Sequence, residues 1–205
     1  MSGSRGFGEV AMHVLADSEK GQAACEACYL LNWAIGDLRA SAHLFESTRR
    51  WEQLKPVPSQ AIMVSRRMIL MNLVIVVYRL KEVREQLIAN WLLSETELQS
   101  LGFPPIDEAM GWGEKSYYFE TLRGQFAGHS FAKKATRTKP GRIISPDVLG
   151  KALHKTGLLE SGDFLKSARA LVPGIEKVRD KLSRLYPEVK QFLKDYSSEL
   201  ERGAT

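Results

Sequence analysis

An all-α fold, a bundle of about five to seven helices, is what this sequence predicts, and three observations predict it. Almost every periodic segment repeats its apolar residues at helical spacing, and no run alternates apolar with polar residues long enough to read as a strand. One apolar run, MILMNLVIVVYRL from Met68 to Leu80, suits the centre of a helix surrounded by others. Prolines and glycines divide the chain into helix-sized pieces, and no repeat of fixed period points to a solenoid. With 205 residues, 44% of them hydrophobic and 26% charged, the chain can bury one sizeable core. A single helical domain over residues 9–202 is expected, after a disordered start over residues 1–8.

The start, MSGSRGFG, lacks the apolar block of a signal peptide, so a cytoplasmic protein is expected. From Glu9 to about Leu44, the positions Val10, Val14, Ala24, Tyr29, Leu30, Trp33, Ile35 and Leu38 predict one interrupted helix or two, with Gly21 as the break. Cys25 and Cys28 lie in this segment. A zinc site would need two further ligands, and no second Cys-x-x-Cys or His-x3-His exists, so the two are expected to pack as small, partly buried side chains with no metal.

Pro56 and Pro58 mark a connection, because proline lacks a backbone donor and disfavours helix in the residue before it. A long helix is predicted from about Ser59 to Asn90. Its apolar run holds thirteen residues, including Asn72 and Arg79, and follows Arg66 and Arg67. A membrane span needs ~20 apolar residues, so a core helix is expected and no membrane partner.

Ser94 and Glu97 form a capping-box pattern for a short helix that Gly102, Pro104 and Pro105 end. Another helix is predicted from about Ile106 toward Phe126. Ser145, Pro146 and Asp147 read as a cap, a first-position proline and an acid near the positive end of a helix dipole. Ser161-Gly162-Asp163 opens a further short helix. Pro173 starts the last one, which Pro187 should kink or split.

The stretch YFETLRGQFAGHSF, from Tyr118 to Phe131, carries the candidate chemistry. RNA can be cut by its own 2′-hydroxyl once a base removes that proton, with no metal and no cofactor. His129 titrates near neutrality and could move the proton. Arg123 stays charged and could clamp the phosphate through paired hydrogen bonds. Five basic residues follow within ten positions, Lys133, Lys134, Arg137, Lys139 and Arg142, and could hold an RNA backbone. The net charge of +5 fits simple solubility as well as an acidic partner.

Six helical steps rotate by about 600°, which puts Arg123 and His129 on different sides of an unbroken helix. They converge only if the helix bends or ends between them, where Gly124 and Gly128 sit, or if a dimer completes the site. The same residues also fit a solvated arginine and a histidine capping a helix end.

Other candidates read as structural. Arg39 and His43 share one helix face of the kind found on solvated surfaces, and His13 and His154 have no ligand or triad arrangement nearby. Trp33, Trp51, Trp91 and Trp112 read as core or interface anchors, since no RNA-binding aromatic motif surrounds them. No glycine-rich phosphate motif is present.

The segment TLRGQFAGHSF resembles the motif of the HEPN superfamily, an arginine and a histidine separated by four to six residues at a helix end. The upstream IMVSRRMILMNLVIVVYRLKEV is similar to the long apolar helix of its abortive-infection branch. The resemblance covers about Ser59 to Phe131. It implies a small helical bundle, a homodimer with the motifs near its interface, and a metal-independent endoribonuclease or an inactive relative. It further implies a phage-defence or toxin-antitoxin setting, with an antitoxin or regulatory protein as partner. Arg123 and His129 are the residues it carries over.

One position departs from the pattern. Active members usually have a polar residue, commonly asparagine, after the arginine, and here it is Gly124, which has no side chain to orient the arginine or the RNA. That departure carries the alternative: a catalytically inactive HEPN-like dimer that binds nucleic acid or protein. A third reading is a helical regulator whose basic loop is only a surface feature.

Overall fold

The computed structural model describes residues 19–53, 58–126, 131–133, 142–143, 152, 154–156 and 162–203. The fold is all-α. Its helices are α1 (Glu19–Trp51), α2 (Ser59–Ala89), α3 (Glu95–Ser100), α4 (Ile106–Ala109), α5 (Ser116–Phe126), α6 (Gly162–Ala170), α7 (Val172–Leu185) and α8 (Pro187–Gly203). A 3-10 turn at Gly113–Lys115 precedes α5. One short antiparallel pair, β1 (Phe131–Lys133) with β2 (Arg142–Ile143), is the extended structure among the described residues. It is too short to give an alternating pattern in sequence. The expected disordered start over residues 1–8 and the cap at Ser145, Pro146 and Asp147 lie outside the described residues.

The chain forms two compact units. The first comprises Met1–Ile35, Leu80–Pro104 and Pro173–Thr205, and the second Gly36–Arg79 and Pro105–Val172.

In the first unit the core gathers Leu31, Leu87, Leu98, Phe103, Ile175, Val178, Leu182, Val189 and Phe192, all buried. Tyr29 of α1 meets Phe192 of α8 edge to face. Arg179 of α7 donates to the Asn32 side chain of α1 at 3.2 Å. The capping box forms as the sequence implies: Glu97 N–H donates to Ser94 Oγ, and Ser94 N–H donates to the Glu97 carboxylate. Arg84, buried, donates to Phe103 O at 3.2 Å and pairs with Glu95. A guanidinium taken out of water needs such partners, since leaving it unpaired costs far more than the pair returns.

Lys181 Nζ lies 2.6 Å from Glu97 Oε1. That contact, helped by the Ser94 backbone and hydroxyl, holds the Glu97 carboxyl at about 2, below its ordinary 4.5. The unfolded chain therefore takes up this proton first as the pH falls. The pair stabilises the fold fully above pH 4.5, and its contribution is lost as the pH drops toward about 2. In urea melts across that window, the midpoint is expected to fall with acid more steeply for the wild type than for Glu97→Gln. Parallel curves would remove the pair from the acid limb. The effect is modest, because both side chains are partly exposed.

In the second unit, α1 and α2 run antiparallel. Arg66 donates to Thr48 Oγ1 at 2.9 Å, and Asn72 reaches Ser41 Oγ at 3.5 Å, so the partners step in opposite directions along the two helices. Leu70, Leu73, Val74, Val76 and Val77 of α2 are buried. The helix is nonetheless long and apolar enough to cross a membrane by length and composition, with a mean hydropathy of 1.7 over its most apolar 18 residues. The core then continues as a column of rings: Tyr78 to Trp112 at 4.9 Å, Trp112 to Phe119 at 4.4 Å, and Phe119 to Phe164 at 5.6 Å between centroids.

Two expectations are revised. Gly21 lies in the first turn of α1 and does not break a helix. The single helix expected from Ile106 toward Phe126 is divided, because Gly111 (φ 60°) and Gly113 (φ 41°) turn the backbone out of helical geometry. Of the four tryptophans only Trp112 is buried, while Trp91 is 85% exposed. Pro187, by contrast, splits its pattern as expected, becoming the first residue of α8.

The ends of α2, α3 and α4 share one device. Leu92, Phe103 and Trp112 each donate from the backbone to a carbonyl five residues back, on Leu87, Leu98 and Asp107. The residue before each, Trp91, Gly102 or Gly111, has positive φ. This is the left-handed helix stop, and it drops a buried apolar side chain just past each helix. Glycine is the usual occupant. Trp91 at φ 56° departs from that rule, at a cost of about 1 kcal/mol.

Candidate functional site

Of the residues that the sequence singles out, Arg123 lies in α5, and Lys133 and Arg142 lie in the strand pair that follows it in the chain. This helix buries Phe119 and Leu122 and leaves Arg123 half-exposed in its last turn. Arg123 Cζ stands 5.2 Å from the centroid of the Tyr78 ring, over its face. At that range the ring quadrupole attracts the cation. Tyr78 is itself buried and packed on Trp112. Burial pushes its phenol well above the ordinary value, Glu120 and Asp107 push the same way, and Arg123 pulls against them. The hydroxyl therefore stays protonated, and two carboxylates lie within electrostatic reach of the arginine's mount.

Helix α5 is described as far as Phe126, and residues 127–130 lie outside the described residues. Past it, β1 and β2 pair with Phe131 opposite Ile143 and Lys133 opposite Arg142, with an irregularity between the two rungs. Two of the five predicted basic residues thus share one rung. His129, Lys134, Arg137 and Lys139 lie outside the described residues.

Arg39, His43 and His154 are exposed, and His13 lies outside the described residues. Cys25 and Cys28 are buried free thiols. Burial is the main cause that raises them, to about 11 and about 12, and the Cys25 sulfur adds to the rise at Cys28. Thiols raised this far stay protonated near neutral pH. No group of three or more His, Cys, Asp or Glu able to hold a metal occurs among the described residues.

Sequence reasoning missed Tyr78, Asp107 and Glu120. A signal existed for the first: Tyr78 is the single hydroxyl-bearing side chain in the run Met68 to Leu80, and a tyrosine inside such a run usually has a polar neighbour to meet.

No protein-family model, no curated protein and no solved structure matches the chain. Fold and site together define an all-α helical protein with an arginine over the face of a buried tyrosine, on the helix that precedes a short strand pair in the chain.

Proposed function

We propose that the chain is a HEPN-like protein acting on RNA, a cytoplasmic homodimer that cleaves it without a metal by 2′-hydroxyl attack. Arg123 clamps the scissile phosphate and His129 moves the proton. Lys133, Lys134, Arg137, Lys139 and Arg142 hold the backbone, and an antitoxin or regulatory protein is the expected partner. The observation that carries this reading is the rung that sets Lys133 opposite Arg142 along the backbone, a concentration of basic residues in the strand pair that follows the helix of Arg123. Phosphates are the anions such a concentration suits.

The test is incubation with structured RNA in EDTA. Wild type is expected to leave 2′,3′-cyclic phosphate ends, and His129→Ala none. Equal cleavage by both, or none by either, ends the catalytic reading.

Gly124, inside α5 next to Arg123, favours a second reading in which the same fold binds RNA without cutting it. Salt-sensitive RNA binding without products in the same assay selects that alternative. Under either RNA reading, replacing both Lys133 and Arg142 with glutamine lowers the slope of log affinity against log salt by about 0.7 per lost contact to a single strand.

A further inference from the structure

We infer that Tyr78 is the positioning residue of the Arg123 site, an aromatic mount that fixes where the guanidinium points. The inference rests on the proposed role of Arg123 in holding a phosphate. An arginine side chain has several rotatable bonds, and a clamp that must be ordered at each encounter loses much of its value. The residue beside Arg123 offers no help, because Gly124 has no side chain. An aromatic face from another element can supply orientation.

Tyr78 of α2 meets that need. Its ring faces Arg123 Cζ at 5.2 Å. The ring in turn packs on Trp112, Trp112 stacks on Phe119 at 18° between planes, and Phe119 stacks on Phe164 at 15°. The column reaches from α6 through α5 to α2 within the second unit, so the ring cannot shift without disturbing the packing of Trp112, Phe119 and Phe164. A fixed ring gives the cation one preferred station, and a guanidinium against a ring keeps the planar fork that matches a phosphate. Lysine could not do the same, since it is a point charge on a flexible stem.

The test reads Arg123 directly. In a proton–nitrogen spectrum of the arginine side chains, the Arg123 Nε–Hε signal, assigned by its loss in Arg123→Lys, is expected away from the free-arginine position because of the Tyr78 ring current. Tyr78→Leu should return it there and lower kcat/KM for RNA cleavage by about 10-fold. Tyr78→Phe, which keeps the ring, should preserve both. A signal at the free position in wild type, or one unmoved by Tyr78→Leu, overturns the mount. Should Tyr78→Leu not fold, the wild-type and Tyr78→Phe spectra decide. Wild type that neither cuts nor binds RNA, with the signal responding as expected, ends the RNA reading while upholding Tyr78 as the mount of Arg123.

Discussion

Gly174→Ala is expected to destabilise the protein by about 3 kcal/mol or more. A Cβ at this position would lie 2.0 Å from the Gly102 carbonyl oxygen and 2.5 Å from its carbon, far inside van der Waals contact. The obstacle is backbone, and that backbone is held. Gly102 and Phe103 N–H donate to Gln99 and Leu98 carbonyls in the stop after α3, Arg84 ties the Phe103 carbonyl, and Phe103 itself is fully buried. Alanine normally gains about 1 kcal/mol over glycine inside a helix, and Gly174 is in α7, so propensity argues for the change. The clash is larger and decides the sign. Gly36 of α1 is the control: nothing lies within 4 Å of its added Cβ, and Gly36→Ala is expected to stabilise by about 0.5–1 kcal/mol. Urea unfolding of both variants measures the contrast. A Gly174→Ala protein as stable as wild type would mean that α7 and the α3 stop do not approach as described.

Trp112→Ala carries the second large effect, a loss of about 3–5 kcal/mol. Trp112 is 1% exposed and sits between Tyr78 and Phe119, so truncation empties the middle of the ring column and removes the apolar residue that seals the end of α4. Trp112→Phe should lose much less. It keeps a ring in place and removes an indole N–H that meets no acceptor among the described residues. Chemical denaturation of the pair separates lost packing from lost polarity. Equal losses would mean that the indole itself, and not the volume it fills, supports this unit.

Those two sites show what the sequence could and could not reveal. The start of α2 at Ser59, the capping box at Ser94 and Glu97, and the split at Pro187 were legible because each depends on neighbours within one helical turn. The division of the expected Ile106-to-Phe126 helix was not. Gly111 and Gly113 are tolerated in helices, and what draws the chain into a turn there is the burial of Trp112 by residues remote in sequence. The strand pair was invisible for a related reason, since backbone pairing between Lys133 and Arg142 leaves no periodic trace in so few residues. At the candidate site, the sequence named Arg123 by its distance from a histidine, while the ring that holds it comes from a different helix. Trp91 ran against the rule that would have placed glycine at the end of α2.

The uneven burial of the tryptophans and cysteines equips the protein with built-in optical and chemical reporters. Trp91 is 85% exposed when folded, so its emission changes little on unfolding, and the blue-shifted component belongs to Trp112 in the second unit. Cys25 and Cys28 lie in the first unit, protonated and shielded, so a thiol reagent reaches them only when that unit opens. Light and thiol chemistry thus follow different parts of one chain. Where the two transitions coincide, the units melt as a single cooperative body, and any gap between them measures their independence.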